Sequence, residues 1–144
     1  LEEHESILQR RRRAYDWYEA ELKHWSAELG IATPTVPAGC EPAWHLYYLL
    51  LEDAAHQAPF IEHLRGSRIG SAFHYLPLNQ SPYSRRQWPD VHDCPVAESA
   101  ASRLVRLPLH AELSDTDLEH IVGVVRAWRP QATGRSFVPC ALSS

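Results

Sequence analysis

A seven-residue repeat of large apolar side chains covers the first 29 residues, and this repeat constrains the fold most. The repeat and the aromatic residues between its later positions are Leu1, Leu8, Tyr15, Tyr18, Leu22, Trp25 and Leu29. Side chains spaced three and four residues apart share one face of a helix, and Gly30 permits the left-handed conformation that ends one. The repeat predicts a single helix over residues 1–29 that is about 43 Å long. We expect it to extend beyond a small domain and to pack on another domain or subunit.

The remaining chain alternates between strand-like and helix-like segments. Three Pro and one Gly in residues 32–43 predict an extended connector. Apolar runs bounded by turn formers predict strands at 44–51, 69–75 and 104–109. Helices are predicted at 59–66, at 95–102, and between the N-cap Ser114 and Pro130. Residues 76–94 have no regular pattern, and loops of that length are usually functional or pack on a partner.

This order of elements predicts an α+β fold. We expect a small, mainly antiparallel three-stranded sheet with helices packed mainly on one face. Residues 1–30 form a long connecting helix, residues 31–128 form the domain, and residues 129–144 form a tail.

The composition argues against several classes of protein. The net charge of -4 disfavours nucleic-acid binding, and the apolar run 44–51 is too short to cross a membrane. The three cysteines are widely separated, so we expect no disulfide scaffold and a cytoplasmic location. The sequence contains no Met, so we do not expect residue 1 to be the natural start.

Metal and nucleic-acid sites are both poorly supported by the motifs. A zinc site could use His92 and Cys94 with His74 or His110, but His-x-Cys is not a standard zinc spacing. We therefore predict no metal site and keep zinc as a weaker alternative. The basic run Arg10–Arg13 would point to all sides of a helix, and acidic residues flank it, so we interpret it as a solvated, salt-bridged surface.

Catalytic motifs are missing, and one strand end remains as the candidate site. The sequence has no Gly-x-Ser-x-Gly motif, no Gly-rich phosphate loop and no Cys in a catalytic context. Lys23 is the single lysine, and an exposed helical position supplies neither the desolvation nor the cationic neighbour that a Schiff-base lysine needs. His74 and Tyr75 lie where a predicted strand meets the long loop, and we expect the two side chains to face opposite ways.

Seven short blocks carry a family resemblance around this segment. They are His45 to Tyr48, Phe60 to Leu64, Ile69 to Leu78, Ser81-Pro82, Pro95 to Ser99, Leu104 to Leu109, and Leu113-Ser114 with the last helix. In this order and spacing, the blocks resemble the C-terminal domain of the DegT/DnrJ/StrS-type sugar-nucleotide aminotransferases, over about residues 1–128. The Phe-His-Tyr-x-Pro-Leu form is most similar to members that aminate dTDP-4-oxo-6-deoxyhexoses for surface glycans.

The resemblance implies a fold-type-I, pyridoxal-phosphate-dependent homodimer. In that family a large N-terminal domain carries the cofactor and the Schiff-base lysine, and the C-terminal domain covers the active site. The implied reaction moves an amino group, usually from glutamate, to a 4-oxo-6-deoxy sugar nucleotide. The isolated segment would then be inactive and would contribute no catalytic or cofactor-binding residue.

The resemblance also implies where substrate binds. We expect His74, Tyr75 and Asn79, with the loop after Pro77, to line the sugar-nucleotide pocket. Alternatively, His74 caps the strand end by a hydrogen bond and touches no substrate. Asn79 and Gln57 depart from the His and Arg of many members, and these departures would either shift the choice of substrate or mark a divergent copy. The alternative function is a stand-alone, non-catalytic binding or dimerisation module that keeps this fold.

Overall fold

The predicted long helix is present in the computed structural model, which describes residues 3–88, 90 and 92–130. Helix α1 spans His4–Glu28, and Gly30 adopts a positive φ of 64° just after it. The predicted face is buried in the second half of the helix, at Tyr15, Tyr18, Leu22 and Trp25. No residue from His4 to Arg13 is buried, so these first turns extend beyond the core as the length of the repeat predicts.

The sheet has three short antiparallel strands. They are β1 at Tyr47–Leu50, β2 at Ala72–Phe73 and β3 at Leu104–Leu107, in the spatial order β1-β3-β2. The predicted strands were too long. Trp44 has a positive φ of 46°, which is incompatible with extended strand backbone, and Pro108 has no N–H for a ladder hydrogen bond.

Four further helices complete the fold. Helix α2 spans Gln57–Gly66, α3 spans Pro82–Gln87, α4 spans Pro95–Arg103 and α5 spans Asp115–Ala127. Helix α2 begins two residues earlier than predicted, because a 3-10 turn at Ala54–His56 leads into it. The Asp53 side chain caps that turn by accepting a hydrogen bond from the Ala55 N–H.

One core joins the sheet to three of the helices. Alternate strand positions face it, and the buried strand side chains are Tyr47, Leu49, Val105 and Leu107. Buried side chains of α1, α2 and α5 belong to the same cluster. Arg13 of α1 bonds Asp115 and the Leu113 carbonyl, and Arg126 of α5 lies 3.3 Å from Glu21 of α1. The α+β fold with a small antiparallel sheet is therefore confirmed.

The expected irregular segment after β2 contains helical structure, so that prediction was wrong in part. A 3-10 turn at Leu78–Gln80 precedes the six-residue helix α3. The Ser81 hydroxyl accepts a hydrogen bond from the Ser84 N–H, and Pro82 occupies the first turn. Ser followed by Pro is an N-terminal helix signal. Most of the predicted tail, from residue 131 onward, lies outside the described residues.

Helix α5 begins with the predicted capping box. The Ser114 hydroxyl accepts from the Asp117 N–H, and the Asp117 carboxylate accepts from the Ser114 N–H. The Ser114 hydroxyl also donates to the Asp117 carboxylate at 2.6 Å. This hydrogen bond first, and the one from the Ser114 N–H second, lower the pKa of Asp117 below its ordinary value of 3.8.

Ser114→Ala is expected to lower the free energy of unfolding by about 1 kcal/mol, because it removes one half of the box. A lowered carboxyl pKa stabilises the fold above the ordinary value, and that stabilisation is lost as pH falls through the lowered value. The difference between Ser114→Ala and the unchanged chain should therefore shrink below about pH 4. Urea unfolding at pH 7 and pH 3 measures it, with Thr116→Ala as the control in the same helical turn.

No helix within residues 3–88 and 92–130 combines the length and apolarity needed to span a bilayer.

Candidate functional site

A shallow groove of 280 Å³ lies where β2 runs into the following segment. Residues 74–78 form one wall, and α4 with the start of β3 forms the other. The lining residues are His74, Tyr75, Leu76, Pro77, Leu78, Ala97, Ala100, Ala101 and Leu104. The three alanines leave space beside α4 that larger side chains would fill. This groove is the candidate binding site.

Exposed apolar side chains line the groove or directly precede its lining residues in the sequence. Tyr75 is 72% exposed, Leu78 is 82% exposed, and Phe73, Leu76 and Val96 are also largely exposed. Clustered apolar side chains on a surface are typical of ligand-binding or protein-binding regions. The groove lies at the end of β2, in the segment where the sequence predicted a site, and its role in binding stays a prediction.

His74 and Tyr75 lie together on the groove. The expectation that they face opposite ways was wrong, because β2 ends at Phe73 and the strand alternation stops there. The two rings meet edge to face with centroids 5.0 Å apart. The Nδ1 atom of His74 is buried, and the ring forms no hydrogen bond within the described part of the chain. The alternative of a capping hydrogen bond from His74 thus finds no acceptor or donor among residues 3–88, 90 and 92–130.

Arg106 is the neighbour that the sequence did not identify. Its guanidinium carbon lies 5.5 Å from the centre of the Tyr75 ring. It pairs in register with Ala72 of β2 and Tyr48 of β1, between the buried Val105 and Leu107. Strand alternation therefore directs Arg106 away from the core. The available signal was this one charged residue inside a predicted strand, but its position over Tyr75 depends on how residues 74–78 fold back.

Asn79 does not line the groove, and its side chain joins two segments beside it. The Asn79 amide donates to the Glu98 carboxylate at 2.6 Å and to the His92 carbonyl at 3.3 Å. The Cys94 N–H also donates to Glu98, at 2.9 Å. These contacts attach the 3-10 turn at Leu78–Gln80 to the first turn of α4. The pKa of Glu98 is lowered, first by the Cys94 N–H and then by the Asn79 amide.

Asn79→Ala is expected to raise the pKa of Glu98 toward its ordinary value of 4.5. Part of the lowering should persist, because the Cys94 N–H is the larger cause. The lowered pKa stabilises the 79–98 contact above the ordinary value, and the contact weakens as pH falls through the lowered value. Carboxyl ¹³C NMR titration of Glu98 measures the change, and Ser102→Ala in the same helix is the control. An unchanged Glu98 titration in Asn79→Ala would contradict the described network.

Gln57 supports the groove from behind. Its Nε2 donates to the Ala101 carbonyl at 2.8 Å and to the Leu104 carbonyl at 2.9 Å. Both acceptors belong to groove-lining residues at the junction of α4 and β3. Gln57 therefore joins the start of α2 to the groove wall and holds that wall in position.

The other sequence candidates lie apart from the groove. Lys23 is exposed on α1. Within residues 3–88, 90 and 92–130, no three His, Cys, Asp or Glu side chains lie close enough to hold a metal ion. The zinc alternative built on His92 and Cys94 therefore gains no support from the geometry.

Comparisons with known proteins give one consistent result. A model described as the DegT/DnrJ/EryC1/StrS aminotransferase family matches residues 1–126. The chain is 34% identical over 119 residues to the UDP-N-acetyl-3-dehydro-alpha-D-glucosamine 3-aminotransferase of Acidithiobacillus ferrooxidans, and this match covers 81% of the chain and 29% of that protein.

Two solved structures are similar over most of the chain. The aminotransferase TlmJ from Streptoalloteichus hindustanus matches with a TM-score of 0.77 and 28% identity, over 88% of this chain and 32% of TlmJ. The PLP-form of Spr1654 from Streptococcus pneumoniae matches with a TM-score of 0.76 and 26% identity, over 88% of this chain and 32% of that one. The chain thus spans about three tenths of the length of the proteins that it matches.

Proposed function

Because this chain belongs to the DegT/DnrJ/EryC1/StrS aminotransferase family, we propose that it is the C-terminal domain of a pyridoxal-phosphate-dependent sugar-nucleotide aminotransferase. The match over residues 1–126 is the observation that carries the proposal. The groove beside β2 supports the proposal, since it is lined by His74 and Tyr75, which belong to the Ile69 to Leu78 block of the family resemblance. The protein that carries this chain would act in glycan biosynthesis, in the cytoplasm and as a homodimer.

The described residues of this chain do not fit the cofactor. Pyridoxal phosphate requires a lysine amine directed into a closed site, and the single lysine, Lys23, is exposed on the surface of α1. The proposal therefore places the cofactor and its lysine in another part of the protein. The role of this chain is to bind and orient substrate from the groove side, and by itself it should not transfer amino groups.

The chemistry of the groove supports a deoxysugar substrate. Apolar side chains at its rim suit a sugar carbon that carries a methyl group, and the His74 ring and Tyr75 hydroxyl suit sugar hydroxyl or carbonyl oxygens. We propose a 4-oxo-6-deoxy sugar nucleotide as the acceptor, with glutamate as the amino donor. His74 and Tyr75 would contact the sugar, and Asn79 would act in the loop beside it.

A 3-oxo sugar nucleotide is the second candidate acceptor. The observation that favours it is the 34% identity to an enzyme named for a UDP-N-acetyl-3-dehydro-glucosamine substrate. The two candidates differ in the position of the carbonyl on the ring, so a substrate panel separates them.

The test uses the intact protein that carries this chain, loaded with pyridoxal phosphate. It is incubated with glutamate and separately with dTDP-4-oxo-6-deoxyglucose and UDP-N-acetyl-3-oxo-glucosamine, and amino-sugar products are detected by mass spectrometry. We expect product from the 4-oxo substrate and none without glutamate. Product from the 3-oxo substrate alone would select the second candidate. Failure of the loaded protein to aminate either sugar would favour a non-catalytic binding or dimerisation module.

A further inference from the structure

Arg106 is a half-buried cation that has no anionic partner among the described residues. Within the described residues it forms no ion pair and no hydrogen bond, and its Nε is shielded from solvent without an acceptor. Arg13, Arg65 and Arg126, in contrast, each contact a carboxylate. A shielded N–H group without an acceptor is unfavourable, so such groups in native proteins usually bind a partner.

The contact with Tyr75 leaves the edge of the guanidinium available. The Tyr75 ring lies 5.5 Å from the guanidinium carbon, and a guanidinium over a ring keeps several N–H donors for a second partner. Oxyanions such as carboxylate and phosphate accept two of these N–H bonds at once. The side chain thus combines a fixed position with unused donors for an oxyanion.

His74 supplies a second unused polar atom at the same place. The His74 ring contacts Tyr75, the same ring that Arg106 contacts. The buried Nδ1 of His74 has no hydrogen-bond partner in the described chain. Two side chains that contact the same exposed ring therefore both have unsatisfied polar atoms. Two such atoms around one ring point to a ligand-binding site more strongly than either residue does alone.

We propose that Arg106, which contacts the same Tyr75 ring as His74, is an oxyanion-binding residue for a carboxylate or phosphate of the substrates. The inference rests on the proposed function, because the amino donor carries carboxylates and the sugar nucleotide carries a diphosphate. Arg106 binds the anion, and the groove receives the uncharged part of the same ligand or of its co-substrate.

The experiment measures the Michaelis constants of the intact, cofactor-loaded protein for glutamate and for the sugar nucleotide separately. Arg106→Gln should raise one of the two constants roughly tenfold or more, with kcat changed less. A raised constant for glutamate assigns the carboxylate, and a raised constant for the sugar nucleotide assigns the phosphate. Arg106→Lys should recover part of the loss, because it keeps the charge but not the paired donors. Arg65→Gln, on α2, is the matched control.

Calorimetric titration with two probes, glutarate and inorganic pyrophosphate, tests the inference without turnover. If Arg106→Gln binds either probe more weakly than the unchanged protein does, the oxyanion-binding role of Arg106 is supported. This holds even if the protein aminates no sugar and the proposed function fails. An active protein in which Arg106→Gln changes neither Michaelis constant keeps the proposed function and overturns the inference. A loss of thermal stability with unchanged constants and unchanged probe binding would show a structural role and also overturn it.

Discussion

Phe60→Ala is expected to lower the free energy of unfolding by about 3–5 kcal/mol. Phe60 is 0% exposed on the buried side of α2, and its ring centroid lies 4.8 Å from that of Trp128. The substitution removes a large apolar side chain from water-free surroundings and leaves a cavity that the sheet and helices cannot close. A loss of this size is a large part of the stability of a small domain. Urea unfolding followed by tryptophan fluorescence and by circular dichroism measures it.

Phe73→Ala is the matched control for that loss. Truncating Phe73 to alanine removes the same atoms, but Phe73 is 59% exposed at the end of β2. We expect a change within about 0.5 kcal/mol, as for other exposed positions. Equal losses in the two variants would contradict the assignment of Phe60 to the core and of Phe73 to the surface.

The elements with a regular pattern could be predicted from the sequence. The repeat in α1 and the Ser114–Asp117 box in α5 are local, since each depends on residues within a few turns of one another. Strand ends were harder to predict, because the positive φ of Trp44 is not a preference of tryptophan. Helix α3 was missed although Ser81 and Pro82 signal its start, because its few residues carry no apolar period.

In the candidate site, too, the residues that are close in sequence could be predicted and those brought together by the fold could not. His74 and Tyr75 are neighbours in sequence, so a motif could identify them before the fold was known. Arg106 lies 31 positions after Tyr75 in the chain, and Gln57 lies 44 and 47 positions before the two residues whose carbonyls it bonds. No local pattern encodes such contacts. The antiparallel pairing of β2 with β3 places Arg106 opposite Ala72, and the path of residues 74–78 then brings Tyr75 to it.

His74→Ala is expected to lower kcat/KM for the sugar nucleotide roughly 10- to 100-fold in the intact protein. The substitution removes a ring whose buried Nδ1 has no partner in the described chain, so it should break no hydrogen bond of the fold. Because the substitution breaks no such hydrogen bond, the free energy of unfolding should fall only by the small contribution of the ring contact with Tyr75. Steady-state kinetics with the sugar nucleotide varied, together with urea unfolding, separate the two effects.

His63→Ala is the control with the opposite expected outcome. The Nε2 of His63 lies 2.9 Å from the Val124 carbonyl and joins α2 to α5, away from the groove. Its removal should cost about 1 kcal/mol of stability, because one partly buried carbonyl loses its donor, and kcat/KM should stay unchanged. If His74→Ala instead behaved like His63→Ala, losing stability and keeping activity, His74 would be a structural residue. The substrate contact would then have to come from Tyr75 and the rest of the groove.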